Sequence, residues 1–337
     1  MKIQKYSVAL LTTFERNKNT NAVAAEMNSS QSSLSRLLNK VSITTANLID
    51  IISPLFGDKQ LTFVIDDFVI NRIYARETEG VSQMIDQSTK SYVNGVKIVA
   101  GGLSDGKHFL PLDLEQWIAK FIAGEGYFTK VDLAQKLILT ILKPGLNIEY
   151  FVLDGLYFTE NFINFLNNLG LKFVIKAKTT TAIIYKGEKM QLKNCPDLRL
   201  NTNQNCKKIK AEWHGKMWYF IALRRFGKHG PKVIYLIANF SIKSKIYGKI
   251  YDLRWSIEKF IRTGKQKLGL KDSQSRNAKV YLNHVRCVFY AYSILQLVMK
   301  KFRLKCTEDA LRKIQALKFK FQFSEIFDQI SLLVNYA

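Results

Sequence analysis

Proline is scarce in this chain of 337 residues, with only five in all. No low-complexity tract accompanies them, and together these absences exclude a disordered or fibrous protein. Cysteine is scarce too. Cys195, Cys206, Cys287 and Cys306 show no C-x-x-C spacing, which argues against a zinc knuckle or a disulfide framework. The four histidines, His108, His214, His229 and His284, are scattered and leave little material for a His-rich metal site. No apolar run is long enough to cross a bilayer: the longest, Val285 to Met299, holds Arg286 and Gln296 and falls short of roughly 20 residues. The opening segment MKIQKYSVALLT carries lysines, but its apolar run is too short for a secretory signal and has no small-residue cleavage site. A soluble, cytoplasmic protein with no membrane partner is expected.

Acids are also in short supply, 27 Asp+Glu against 51 Lys+Arg, for a net charge of +24. Such a surplus on a folded chain points to a polyanionic partner, because Lys and Arg displace counterions from phosphates. A composition of 47% hydrophobic and 12% aromatic residues supports a packed core, and the length allows one large or two to three modest domains.

Residues 1–50 read as short helices. In TNAVAAEMNSSQSSLSRLLNKV the apolar residues Val23, Met27, Leu34, Leu37 and Leu38 are interrupted at Asn28-Ser29-Ser30. A helix, a tight polar turn and a second helix from about Gln31 are predicted, with Ala24 and Ala25 allowing close approach. The second helix offers Gln31, Ser32, Ser35 and Arg36, residue types that read a DNA groove, so the segment resembles a helix-turn-helix module.

From residue 61 the period changes. LTFVIDDFVI is an apolar run closed by two acids, the pattern of a strand buried on both faces. Strands at 91–102 and 106–114 follow, with Gly101-Gly102 and Asp105-Gly106 as turn signals. Residues 129–142 are helical by periodicity and stop at Lys143-Pro144-Gly145. EYFVLD is again a strand ending in an acid, TENFINFLNNLG a helix capped by Thr159 and stopped by Gly170, and KFVIKAK a third strand. Residues 179–245 read as a β-rich insertion, and helices fill the remainder from 246 to 337.

Two buried strands thus end in carboxylates, Asp66-Asp67 and Asp154, which is costly unless the charge is paired or bound to a cation. A turn-capping Asp is the plainer reading of either one. In IYDLRWSIEKFIRTGKQKLGL, Tyr251, Arg254, Glu258 and Lys265 fall within about 60° of one another if the segment is one helix at 100° per residue. Such a helix presents a carboxylate flanked by Arg, Lys and Tyr beside an apolar face.

That spacing (Tyr, two residues, Arg, three residues, Glu, six residues, Lys) resembles the signature around the catalytic Glu of DDE transposases of the insertion sequence 4 type. FVLDGLYFTENFINFLNNLGLKFVIKAK is similar to that family's second-Asp region. The resemblance spans roughly residues 55–300. It implies an α/β fold: an RNase H-like mixed sheet with flanking helices, interrupted by a β-rich insertion and preceded by a small all-α helix-turn-helix domain. The implied domains are 1–50 for DNA binding, 55–178 for the first part of the catalytic domain, 179–245 for the insertion, and 246–337 for the second part with the C-terminal helices.

As catalytic and metal-binding acids the resemblance implies Asp67, Asp154 and Glu258. Asp66 remains the alternative to Asp67, because Phe68 follows where the family often has a small or hydroxyl residue. Two Mg²⁺ (or Mn²⁺) ions suit hard carboxylate ligands and an in-line phosphoryl displacement. Arg254, Lys265 and Tyr251 are implied to contact DNA, as are Gln31, Ser32, Ser35 and Arg36. The implied partners are double-stranded DNA (terminal inverted repeats and target) and a second copy of the chain in a bacterial cytoplasm or nucleoid. A DNA-binding relative that no longer cuts and a stand-alone nuclease on the same fold are the other readings. Between Lys207 and Lys271, 17 Lys+Arg face three Asp+Glu, interleaved with Trp213, Trp218, Tyr219, Phe226 and Trp255, which are either core or base-stacking residues.

Overall fold

The computed structural model describes residues 2–43, 46–72, 77–86, 91–143, 145–227 and 230–335. Helices α1 (Lys2–Thr12), α2 (Thr20–Glu26), α3 (Gln31–Lys40) and α4 (Ala46–Phe56) come first. Strands β1 (Leu61–Asn71), β2 (Ser82–Asp86), β3 (Ser91–Ser104) and β4 (Phe109–Trp117) follow. Next are α5 (Lys120–Ala123), α6 (Lys130–Leu142), β5 (Ile148–Leu153), α7 (Glu160–Asn168) and β6 (Phe173–Ala177). Strands β7 (Ala182–Tyr185), β8 (Glu188–Gln191), β9 (Cys206–Trp213), β10 (Lys216–Gly227) and β11 (Gly230–Ala238) make up the β-rich stretch. Last come α8 (Ser244–Asp252), α9 (Trp255–Lys267), α10 (Ala278–Lys301), α11 (Thr307–Ala316) and α12 (Phe323–Asn335).

The chain divides into two compact units. The larger holds Met1–Lys59, Asp67–Gly145 and Ser256–Ala337, and the smaller holds Gln60–Asp66 and Leu146–Trp255. β1 therefore gives its first half to the smaller unit and its second half to the larger.

In the smaller unit, the first half of β1 runs parallel to β5, and β5 parallel to β6. Phe63, Val64, Ile65, Phe151, Val152, Leu153, Phe173, Val174 and Ile175 are all buried, as continuous apolar runs in parallel strands should be. α7 joins β5 to β6. Thr159 caps it by accepting from the Phe162 amide, Phe162, Ile163 and Leu166 form its buried face, and Gly170 ends it at φ +67°. β11 pairs antiparallel with β6, β10 with β11, and β9 with β10. The β-rich stretch thus extends the sheet of the parallel strands and is not a separate body.

In the larger unit, β2, β3 and β4 form an antiparallel meander beside the second half of β1. Gly101-Gly102 is not a turn but a bulge inside β3. A Cβ on Gly102 would lie 2.5 Å from the Leu110 carbonyl oxygen, so only glycine lets the partner strand come this close. The turn itself is at Asp105-Gly106. Pro144 and His229 lie outside the described residues. α6 has a reciprocal Thr129–Asp132 capping box and buries Leu133, Ala134, Leu137, Ile138 and Ile141.

α10, 24 residues and about 36 Å long, is buried nearly all round and packs against β4, α1, α3, α4, α11 and α12. The N-terminal helices belong to this core. The Tyr6 hydroxyl meets buried His284 Nδ1 at 2.8 Å, and Asn283 donates to the Leu38 and Val41 carbonyls at the end of α3. Among the described residues no helix is long and apolar enough to cross a membrane.

Candidate active site

The smaller unit positions the first acids. Ile65 on β1 pairs with Leu153 on β5, so the next residues, Asp66 and Asp154, stand abreast on the same face where the parallel pairing stops. Asp154 follows the last residue of β5, but Asp66 and Asp67 lie in the middle of β1, which runs on to Asn71 and does not end in the two acids as the apolar run suggested. Leu153 in turn pairs with Ile175 on β6, which adds Lys176 to the row. Asp154 begins a 3₁₀ turn over Gly155–Tyr157, but its side chain makes no capping hydrogen bond. The turn-capping reading of Asp154 is thereby excluded.

The protein's own groups surround the pair. Arg254 Nη1 donates to Asp66 Oδ2 at 2.9 Å, with the two side chains 15% and 16% exposed. The Tyr251 hydroxyl donates to Asp154 Oδ1 at 3.3 Å, and Lys176 Nζ lies 3.8 Å from the same oxygen. The Arg254 guanidinium sits 5.9 Å from the Tyr251 ring and 5.8 Å from that of Trp255. Burial raises the Tyr251 hydroxyl well above its ordinary value, against the pull of Arg254, so it stays a proton donor to Asp154.

Asp67 belongs to the larger unit. As the next residue on β1 its side chain projects from the opposite face to Asp66, where Lys130 Nζ bonds it at 2.9 Å and Lys97 Nζ lies 3.9 Å away. Burial and then the neighbouring Lys130 push the Lys97 ammonium below its usual range. The preferred first acid and Asp154 therefore do not share a strand face, whereas the alternative, Asp66, and Asp154 do.

The single helix expected over the signature is interrupted. α8 ends at Asp252, Leu253 and Arg254 form a turn, and α9 starts at Trp255. Tyr251 thus lies on α8, Arg254 in the junction, and Glu258 and Lys265 seven residues apart on one stripe of α9. The Leu253 and Arg254 amides bond back to Ile250 and Tyr251 carbonyls, a tightening that the 3.6-residue period cannot carry through. Glu258 is half-buried in the first turn of α9 and has interactions of its own. Lys265 is half-buried and its ammonium is pushed down, by burial first, against the pull of Asp86.

Among the described residues no three His, Cys, Asp or Glu side chains gather as a metal site. The pair of acids fits Mg²⁺ in its chemistry, since two carboxylates offer the hard oxygen ligands this ion takes. On α3, Gln31, Ser32 and Arg36 are exposed and Ser35 half-buried, while Leu34 and Leu38 are buried. Asn28 takes the left-handed conformation, φ 49°, in the turn between α2 and α3. Trp213 and Trp218 are core, 9% and 3% exposed, whereas Phe226 and Trp255 are 77% and 52% exposed.

Lys176, Lys130 and Lys97 went unnoticed in the sequence. Only Lys176 had a readable signal there, as the single charge in an otherwise apolar strand.

The chain belongs to the DDE superfamily of endonucleases, whose family model (DDE superfamily endonuclease) matches residues 1–194, more than half of its length. The model of the transposase DDE domain matches residues 129–293. The first match contains Asp66, Asp67 and Asp154, and the second contains Asp154 and the Tyr251–Lys265 signature. No curated protein matches the chain.

Proposed function

We propose that this protein is a transposase of the insertion sequence 4 type on an RNase H-like catalytic fold, which cuts the ends of its element and joins them to target DNA. The observation that carries the reading is the Asp66–Asp154 pair, abreast where the β1–β5 pairing stops and engaged by Arg254 and Tyr251 of the signature. In this reading Asp66, rather than Asp67, is the first metal-binding acid, Asp154 the second, and Glu258 the third. Two Mg²⁺ ions, when bound, polarise the scissile phosphate and lower the pKa of the attacking hydroxyl. The chain's own residues do the rest. Arg254 and Lys265 hold backbone phosphates, and Arg254 is the more specific of the two because its planar fork matches two phosphate oxygens. Tyr251 keeps Asp154 oriented and helps place the DNA.

α2 and α3 form the proposed end-reading helix-turn-helix, with Gln31, Ser32, Ser35 and Arg36 toward the groove. The net charge of +24 supports a DNA partner. A homodimer on paired element ends completes the proposal.

The test combines protein, Mg²⁺, a labelled duplex of the element's end and a supercoiled target. Labelled end joined to target supports the transposase. Cutting without joining supports a stand-alone nuclease, and binding alone supports a relative that no longer cuts.

A further inference from the structure

Within the larger unit, a cleft of about 380 Å³ opens between the β3–β4 turn, α9, α10 and the segment preceding α11. Four cations from three separate chain segments line it: Lys107 in the turn, Lys259 and Arg262 on α9, and Lys305 before α11. All four are exposed, and among the described residues none forms an ion pair. Elsewhere in the same unit Lys59, Lys136 and Arg312 each meet a carboxylate. The lone acid on the cleft wall, Glu308, takes a hydrogen bond from the Thr307 hydroxyl at 3.2 Å.

Four cations gathered around a single acid repel one another, and the arrangement is relieved by an anion. A second observation points the same way. Gln296 also lines the cleft and is 3% exposed. Its Oε1 accepts from the Phe109 amide, but its amide nitrogen meets only the Met299 sulfur, at 3.7 Å, a weak acceptor. A buried donor is thus held ready for an oxygen.

We infer that this cleft docks the phosphodiester backbone of duplex DNA, separately from the phosphates held by Arg254 and Lys265. The inference rests on the DNA-handling function proposed above and adds a surface to it. Lys259 and Arg262 lie three residues apart on one face of α9, and Arg262 is one turn beyond Glu258, so a strand followed along this helix reaches the cleft.

The test is duplex-binding affinity of the full chain over a salt series, measured by fluorescence anisotropy. Lys259→Ala/Arg262→Ala and Lys107→Ala/Lys305→Ala are compared with wild type and with Lys189→Ala/Lys193→Ala, exposed lysines that carry the same charge change elsewhere. Each cation withdrawn from a phosphate should lower the slope of log affinity against log salt by roughly 0.9, so each cleft variant should fall by about 1–2 in slope while the control keeps the wild-type slope. Wild-type binding with unchanged slopes in both cleft variants overturns the cleft alone. An equal drop in the control overturns it too, since net charge would explain the effect. Saturable binding of inorganic phosphate that excess duplex cannot displace would make this a small-anion site and overturn the DNA assignment. No salt-dependent duplex binding by the wild type would remove the proposed function along with the cleft.

Discussion

Arg254 reaches across 188 residues of sequence to bond Asp66, not its neighbour Asp67, at 2.9 Å. The bond ties the signature's arginine to the strand acid that stands beside Asp154.

Glu258→Gln should abolish cleavage by at least ~100-fold while leaving DNA affinity near wild type. The change preserves size and removes one ligand charge, and metal sites lose 10–100-fold when even an outer partner goes. Cleavage near the wild-type rate would remove α9 from the chemistry.

Arg254→Ala should lower the slope of log affinity against log salt by roughly 0.9 and weaken cleavage. Arg254→Lys should rescue the slope better than the cleavage, because an ammonium keeps the charge but not the two-pronged geometry. An unchanged slope with normal cleavage would reduce Arg254 to a partner of Asp66.

Gln31→Ala/Arg36→Ala should cost sequence-specific end binding and leave non-specific affinity almost intact, because both side chains are exposed on α3. Gel shifts with end and scrambled duplexes measure the ratio. Equal losses on both duplexes would move specificity elsewhere. Deleting residues 1–50 is a poorer test, since α1 and α3 cover α10 and truncation would expose its apolar surface.

Much of this was legible in the sequence where one physical signal acted alone. Apolar runs gave β1, β5 and β6, Thr159 and Gly170 marked α7, and the polar turn separated α2 from α3. Sequence could not tell Asp66 from Asp67. Both follow the same apolar run, and their faces are set by register against β5, a pairing some 90 residues away. The break at Leu253-Arg254 was hidden because its side chains suit a helix, and only tertiary packing tightens the turn. Trp213 and Trp218, set among lysines, read as either core or stacking residues, and only the strand alternation that turns them inward decides for the core.

Lys18 links stability to pH. It is 5% exposed, its ammonium donates to the Thr13 carbonyl, and burial lowers its pKa from 10.5 to about 8, against the pull of Glu26 and Asp272. Between about pH 8 and 10.5 the unfolded chain therefore binds more protons at this site, and stability contributed here rises with pH across that window. The Tm difference between wild type and Lys18→Met should shift in favour of the wild type from pH 8 to 10.5. A difference that stays flat across the window would mean Lys18 is charged and solvated in the folded state.

The most direct measurement compares Asp66→Asn with Asp67→Asn for Mn²⁺-dependent cleavage of an element end, with DNA affinity measured in parallel. Asp66→Asn should lose cleavage by at least ~100-fold and keep binding. Asp67→Asn should cleave within about tenfold of wild type, its cost confined to stability through the loss of a partner for Lys130 and Lys97. Cleavage retained by Asp66→Asn and abolished by Asp67→Asn would contradict the Asp66–Asp154 pair as the catalytic core.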